Sequence, residues 1–227
     1  MKYYNLELNI KNKKCVVVGG GDIAYRKVLS LLECGAKVHV VSKKLNEELR
    51  VFFKENKICS HENKICSHKN KIYFHEKEYQ TKDLKGAFLV IGATNCLKTN
   101  EKIAKDAHKL RILVNIVDNI KLCNYIVPAV TKRGDLVISV STAGKSPFLA
   151  KKIKDEIAQL YGQEYGELVN ILGSIRKKVI QEVSDPQKRR LVWEGVVSSK
   201  TIEYLKEGNL DKVNNLIKKV IEEGKRQ

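Results

Sequence analysis

The chain is 227 residues long, 43% hydrophobic and 30% charged, which is enough for one large domain or for a standard domain with a smaller appendage. No apolar run approaches the ~20 residues that span a bilayer, and the polar start of the chain lacks the apolar block of a secretion signal, so a cytoplasmic protein without a membrane partner is expected. Its 43 Lys and Arg against 26 Asp and Glu leave a formal charge of +17; the basic residues are scattered with little aromatic interleaving, so a polyanionic small molecule is the expected partner rather than nucleic acid.

Leu6 and Leu8 alternate with polar neighbours and predict a short first strand. Residues 15–18, Cys-Val-Val-Val, run straight into Gly19, Gly20 and Gly21, and a helix is expected over 22–34 with Gly35 as its stop. Spaced as Gly19-x-Gly21-x-x-Ala24, this is strand, tight turn and helix: the phosphate-binding opening of a dinucleotide fold. Glycines let such a turn approach a pyrophosphate closely, and the unpaired amides of the helix N-terminus face its charge. Asp22 adds a carboxylate where the helix dipole favours one.

Residues 38–41 read as the second strand, ending at Ser42, and a helix through Leu45 and Leu49 follows. Many NAD-binding folds carry an acid at that strand end to hold the ribose hydroxyls. Here the chain has Ser42, Lys43 and Lys44: two lysines that would tolerate a 2′-phosphate, or that simply open the next helix in solvent, so the turn leaves NAD and NADP both open.

Over 55–75 the heptad Glu-Asn-Lys-Ile-Cys-Ser-His occurs twice, from Glu55 and Glu62, followed by Lys-Asn-Lys-Ile-Tyr-Phe-His from Lys69. Cys59, His61, Cys66, His68 and His75 are zinc-ligand types, but Cys-x-His at this period is not a usual zinc spacing. A tandem copy also reads as replication slippage enlarging a surface loop, and no metal site is assigned. The chain has no Cys-x-x-Cys pair, and Cys15, Cys34 and Cys96 fall in or beside predicted elements, so reduced thiols are expected.

Residues 87–91 form an apolar strand ahead of Gly92-Ala93-Thr94-Asn95; a helix over 98–110 and a strand over 112–117 bring the chain to Asp118. This alternation predicts a parallel, doubly wound sheet, whose ligands bind at the carboxyl ends of the strands. Residues 19–23, Ser42, Thr94 with Asn95, and 115–118 all fall on that edge. Strands over 125–130 and 136–140 then flank a hairpin turn at Arg133-Gly134-Asp135, and 141–145 make a small polar loop. Ser146 caps a helix opened by Pro147, with Leu149, Ile153, Ile157 and Leu160 on its apolar face and Gly162 at its end. Stripes at Leu168, Leu172, Ile175 and Val179, and at Val213, Leu216, Ile217 and Val220, are helical; a break at Ser184-Asp185-Pro186 and a stretch to Val197 carrying Trp193 lie between them. The expected fold class is α/β: a Rossmann-type parallel sheet over 1–117, a small α+β segment over 118–163 and a C-terminal helical module over 164–227.

Five segments, in order over most of 1–165, carry a resemblance: Val-Val-Val-Gly-Gly-Gly-Asp-Ile-Ala-Tyr-Arg-Lys at 16–27, Ala-Phe-Leu-Val-Ile-Gly-Ala-Thr-Asn at 87–95, Val-Asn-Ile-Val-Asp at 114–118, Ile-Val-Pro-Ala at 126–129 and Ile-Ser-Val-Ser-Thr-Ala-Gly-Lys-Ser-Pro at 138–147. They resemble the precorrin-2 dehydrogenase family, the N-terminal module of sirohaem synthase. The resemblance implies a homodimer with 118–163 as its dimerisation and active-site segment. It also implies NAD-dependent dehydrogenation of precorrin-2 to sirohydrochlorin, with a hydride passing to NAD⁺ and a proton to a base. The family's catalytic aspartate matches Asp118, and its NAD contacts match Asp22, Ile23, Ser42 and Lys43. Gly19, Gly21, Thr94 and Asn95 complete the expected cofactor set, while Asn115, Thr142 and Lys145 are assigned to the tetrapyrrole, whose carboxylates suit a basic chain. Two alternatives stand beside this reading: some relatives also insert Fe²⁺ into sirohydrochlorin, and a non-catalytic NAD(H)-sensing module would make no use of Asp118.

Overall fold

The computed structural model describes residues 3–55, 59–61, 64–67 and 72–226, with side chains within 3–55 and 72–225. The chain divides into two compact units, residues 1–126 and 127–227.

The first unit contains β1 (Lys14–Val18), α1 (Asp22–Glu33), β2 (Lys37–Ser42), α2 (Glu47–Glu55), β3 (Cys59–His61), β4 (Lys64–Ser67), β5 (Ile72–Glu76), β6 (Leu89–Gly92), α3 (Leu97–Lys109) and β7 (Leu113–Ile116). They form one sheet in the order β3-β4-β5-β2-β1-β6-β7. The five strands from β5 to β7 run parallel, and counted along the chain their order is 3-2-1-4-5, the Rossmann arrangement. Cys15, Val16, Val17 and Val18 are all buried, as central strands covered on both faces require, and β-branched side chains suit that setting. In α1, Ala24, Val28 and Leu31 turn one face to the sheet at helical spacing. Burial also pushes the Cys15 thiol up to about 12, with Cys34 adding a smaller effect.

Two expectations need correction here. Residues 6–8 form no strand, and Leu6 and Leu8 are 58% and 40% exposed. Their alternation has no sheet face to bury against, and among the described residues the first buried one is Ile10. The heptad repeat, in turn, is more than an enlarged loop. Its backbone supplies the antiparallel pair β3 and β4, and its third copy supplies β5, which pairs in parallel with β2. The period of seven masked a period of two: Ile72 and Phe74 are buried, while Tyr73 and His75 take the opposite face. There His39 stacks on Tyr73 with centroids 4.5 Å apart, and its Nδ1 lies 3.1 Å from His75 Nε2. The side chains of Cys59, His61, Cys66 and His68 lie outside the described residues. Among the described residues no group of three or more His, Cys, Asp or Glu is placed to hold a metal.

The outer edge of β7 is covered by the segment at 122–125. Asn124 donates its backbone N–H to Val114 O at 3.1 Å, accepts from Val114 N through Oδ1 at 2.7 Å and donates from Nδ2 to Ile112 O at 3.0 Å. Cys123 Sγ accepts from Ile116 N at 3.1 Å.

The second unit opens with a two-stranded antiparallel sheet, β8 (Ala129–Arg133) and β9 (Leu136–Val140). Its two-residue turn is Gly134-Asp135, with Gly134 at φ 58°. The first strand begins later than the expected 125–130, since the main chain and side chain of Asn124 first bind along β7. The helices α4 (Pro147–Leu160), α5 (Gln163–Glu182), α6 (Pro186–Val196), α7 (Ser199–Lys206) and α8 (Leu210–Arg226) follow. Ser146 caps α4 by accepting from Leu149 N at 3.2 Å, and Asp185 caps α6 by accepting from Gln187 N at 2.7 Å. Arg133 ties the hairpin to the end of α4, donating to Ala158 O at 2.8 Å and to Tyr161 O at 3.0 Å. Leu168, Val179, Val192, Val196, Leu205, Val213, Ile217 and Ile221 form the helical core. Helix α7 was not foreseen. Among the described residues no helix is long and apolar enough to cross a membrane.

Candidate functional site

A cleft of about 750 Å³ opens at the carboxyl edge of the parallel strands, bounded by the glycine turn, the ends of β2 and β6 and the segment after β5. The three glycines do different work. Gly19 sits at φ 124°, and a Cβ there would overlap the Ala93 carbonyl, 2.7 Å from its carbon. At Gly20 a Cβ would overlap the Lys44 carbonyl oxygen and lie 2.8 Å from Ser42 Oγ. These two let the β1 turn lie close against its neighbours. Gly21 is the N-cap of α1, with no side chain to cap the helix, and a Cβ there would meet nothing within 4 Å. The open space thus lies in front of the helix N-terminus, where amide N–H groups attract an anion. This turn fits the pyrophosphate of a dinucleotide.

Asp22 and Ile23 begin α1, both exposed, and neither lines the cleft. Asp22 Oδ1 accepts from Asn46 Nδ2 at 2.6 Å. Asn46 also donates its backbone N–H to Gly20 O at 2.7 Å and caps α2 by accepting from Leu49 N at 3.0 Å. One asparagine therefore joins the glycine turn, Asp22 and the start of α2. Ser42 and Lys43 do line the cleft. The Ser42 hydroxyl donates to Lys44 O at 2.7 Å, and Lys43 Nζ pairs with Glu78 Oε1 at 2.6 Å. That pairing raises the Lys43 pKa and lowers that of Glu78, in both cases chiefly through their shared hydrogen bond.

Thr94 and Asn95 line the facing wall after β6. Thr94 Oγ1 donates to Asn100 Oδ1 at 2.8 Å, and Asn100 Nδ2 returns to Thr94 O at 2.9 Å. Asn100, only 8% exposed, thus holds the loop. Cys96, the N-cap of α3, also faces the cleft. The Thr99 hydroxyl beside it holds its thiol below the usual range, helped by the Thr99 and Lys98 amides and the Lys98 charge. Tyr79 closes the wall, its hydroxyl donating to Asp106 Oδ2 at 3.0 Å; burial, and then Asp106, push its pKa up.

Asp118 follows β7 in a turn closed by Asn119 N donating to Ile116 O at 3.2 Å. It is exposed and left-handed, at φ 60°, and it is not part of the cleft lining. Asn115 lies on β7 with its amide donating to Tyr125 O at 3.2 Å. Thr142 and Lys145 belong to the second unit. There Thr142 Oγ1 accepts from Ser146 N and donates to Ser146 O, both at 3.0 Å, and the exposed Lys145 donates its backbone N–H to Thr142 O at 3.0 Å.

The structure thus gathers Gly19, Gly21, Ser42, Lys43, Thr94 and Asn95 around one cleft. It adds Asn46, Glu78 and Tyr79 to the lining, with Asn100 behind the Thr94 loop, all of which sequence reading missed. Asn46 carried a signal, since a capping residue precedes Glu47 and Glu48 in the first turn of α2. Glu78 carried none, because its place depends on β5 pairing with β2.

Comparison with known proteins follows this division of the chain. Residues 6–129 match a family model described as "Putative NAD(P)-binding". Residues 133–160 match one described as sirohaem biosynthesis protein central, and 164–221 one described as sirohaem synthase dimerisation region. Among curated proteins, the siroheme synthase of Nitrosococcus oceani is 30% identical over 224 residues, covering 99% of this chain and 45% of that protein. The siroheme synthase of Ruthia magnifica subsp. Calyptogena magnifica is 33% identical over 204 residues, 88% of this chain and 40% of that protein. The chain spans less than half the length of these relatives. A solved structure titled "SirC, precorrin-2 dehydrogenase" shares the fold at a TM-score of 0.72 and 24% identity, over 96% of this chain and 100% of that one.

Proposed function

The chain belongs to the NAD(P)-binding family, in the three-part arrangement of the sirohaem synthase N-terminal module, and from that premise we propose that it is an NAD-dependent precorrin-2 dehydrogenase. The observation that carries this reading is the glycine cleft, with the exposed α1 N-terminus before it and Thr94, Asn95 and Lys43 on its walls. A bound nicotinamide dinucleotide supplies the hydride acceptor. The glycine turn and the first amides of α1 bind its pyrophosphate, and Thr94 and Asn95, held by Asn100, orient it.

Oxidation of the reduced tetrapyrrole to sirohydrochlorin releases a hydride and a proton, and the Asp118 carboxylate takes the proton as general base. Its left-handed backbone at a strand end is the kind of strain that accumulates at functional positions, and it keeps the carboxyl exposed. Asn115, Thr142 and Lys145 are the residues we assign to the carboxylates of the substrate. Residues 1–117 bind the cofactor, 118–163 supply the active-site segment and 164–227 the helical module of a homodimer. The matched model titled as a dimerisation region covers 164–221, so its title supports dimerisation through the helical module rather than through 118–163.

The test is anaerobic addition of precorrin-2 and NAD⁺, read as NADH absorbance. Wild type forms NADH; Asp118→Asn binds NAD⁺ as well by calorimetry but forms NADH at least about a hundredfold more slowly, as loss of a general base requires. Full activity in Asp118→Asn would remove that residue from the mechanism, and NAD⁺ binding without reduction by wild type would identify a sensor instead.

A further inference from the structure

The corner of the cleft beyond β2 lacks an acid in its own sequence, Ser42-Lys43-Lys44, yet the fold delivers one from elsewhere. Strand β5 runs beside β2 with Glu76 opposite Ser42, and Lys77 N donates to Ser42 O at 3.2 Å. The chain therefore crosses the end of β2 and sets Glu78 on the cleft wall. There it meets Lys43 at 2.6 Å, with side chains 72% and 68% exposed.

Two of the neighbouring charges have other engagements, while Lys44 and Lys98 also line the cleft. Lys77 pairs with Asp83, and Lys102 Nζ lies over the Tyr79 ring, 5.8 Å from its centroid. The Ser42 hydroxyl already donates to Lys44 O. Glu78 is thus the carboxylate that faces this corner, with Lys43 as its counter-ion.

A vicinal diol presents two O–H donors, and an ionised carboxylate is an acceptor-only group able to take both. A phosphate ester at the same oxygen would instead set a dianion against the carboxylate. The geometry points to Glu78 as the residue that reads the adenosine ribose and selects the dinucleotide without a 2′-phosphate. This deepens the NAD reading proposed above and rests on it. The acid occupies the usual spatial corner but comes from the segment after β5, two residues past its end.

The experiment is calorimetric titration of the full chain with NAD⁺ and with NADP⁺, for wild type, Glu78→Gln and Glu78→Lys. Melting curves accompany it, and they should coincide, because substitutions at so exposed a position leave stability nearly unchanged. Wild type binds NAD⁺ more tightly than NADP⁺. Glu78→Gln weakens NAD⁺ roughly tenfold, the effect of losing a charge-assisted hydrogen bond, and narrows the preference. Glu78→Lys turns it toward NADP⁺. A wild type that prefers NADP⁺, or an unchanged NAD⁺/NADP⁺ ratio in both variants, overturns the assignment of Glu78 while leaving the nucleotide site intact. A wild type that binds neither dinucleotide overturns the cofactor reading itself.

Discussion

Asn46 donates to the Asp22 carboxylate at 2.6 Å while its Oδ1 accepts from Leu49 N at 3.0 Å, so one side chain fixes the start of two helices. Asn46→Ala removes the α2 cap, at a cost of about 1 kcal/mol read by calorimetric unfolding. It also releases the Asp22 carboxylate to compete with a pyrophosphate for the first-turn amides of α1, and NAD⁺ affinity falls several-fold. Asn46→Ser keeps a capping oxygen, recovers most of the stability and leaves the affinity low. If both variants bind NAD⁺ as wild type does, the tether has no part in the cleft.

The glycines separate folding from binding. In Gly19→Ala a methyl meets the Ala93 carbonyl at a backbone angle alanine rarely adopts, and unfolding experiments should show a loss of roughly 2–4 kcal/mol. Gly21→Ala has free space and an ordinary extended backbone, so its melting temperature stays within a few degrees of wild type. Its methyl instead fills the approach to α1, and dinucleotide affinity should drop at least about tenfold. Equal melting temperatures for the two variants would contradict this division of roles.

Thiol reactivity gives a pH-dependent readout of the same cleft. The Cys96 pKa is lowered, first by the Thr99 hydroxyl, so its thiolate fraction grows at a lower pH than that of an ordinary cysteine. Cys15 is buried and pushed up to about 12, so it stays a thiol throughout the neutral range. Iodoacetamide labelling at pH 7.5, located by peptide mass spectrometry, should modify Cys96 before the likewise exposed Cys34 and leave Cys15 intact. The Cys96 rate should climb as pH rises through the neutral range, and saturating NAD⁺ should slow it. Equal rates at Cys96 and Cys34 across that range would count against the lowered pKa.

The residues legible in the sequence are those whose structure is local. Residues 15–24 fix a buried strand, a turn that needs glycine at 19 and a helix whose buried face begins at Ala24, all within one short stretch. Ser146 was equally readable, because a cap and its helix are adjacent; Asp185 was read only as a break, and the structure makes it the cap of α6. What was hidden depends on pairing at a distance. Strand β5 has a two-residue alternation of its own, but the heptad copies in front of it draw attention to a different period. With β5 unread, Glu78 and Tyr79 could not be placed on the cleft wall. Leu6 and Leu8 failed in the opposite sense: they carry a strand's alternation with no neighbour to satisfy it. For Asp118 the sequence located a strand end, and the structure adds the left-handed turn that exposes it.

Asn124 imitates a strand at the outer rim of β7: its main chain and its side-chain amide together occupy Val114 N and O and Ile112 O. A second copy cannot lengthen the sheet there without first expelling this residue and leaving its hydrogen-bonding groups to find water. The outer rim of β7 is therefore closed to strand addition at Val114.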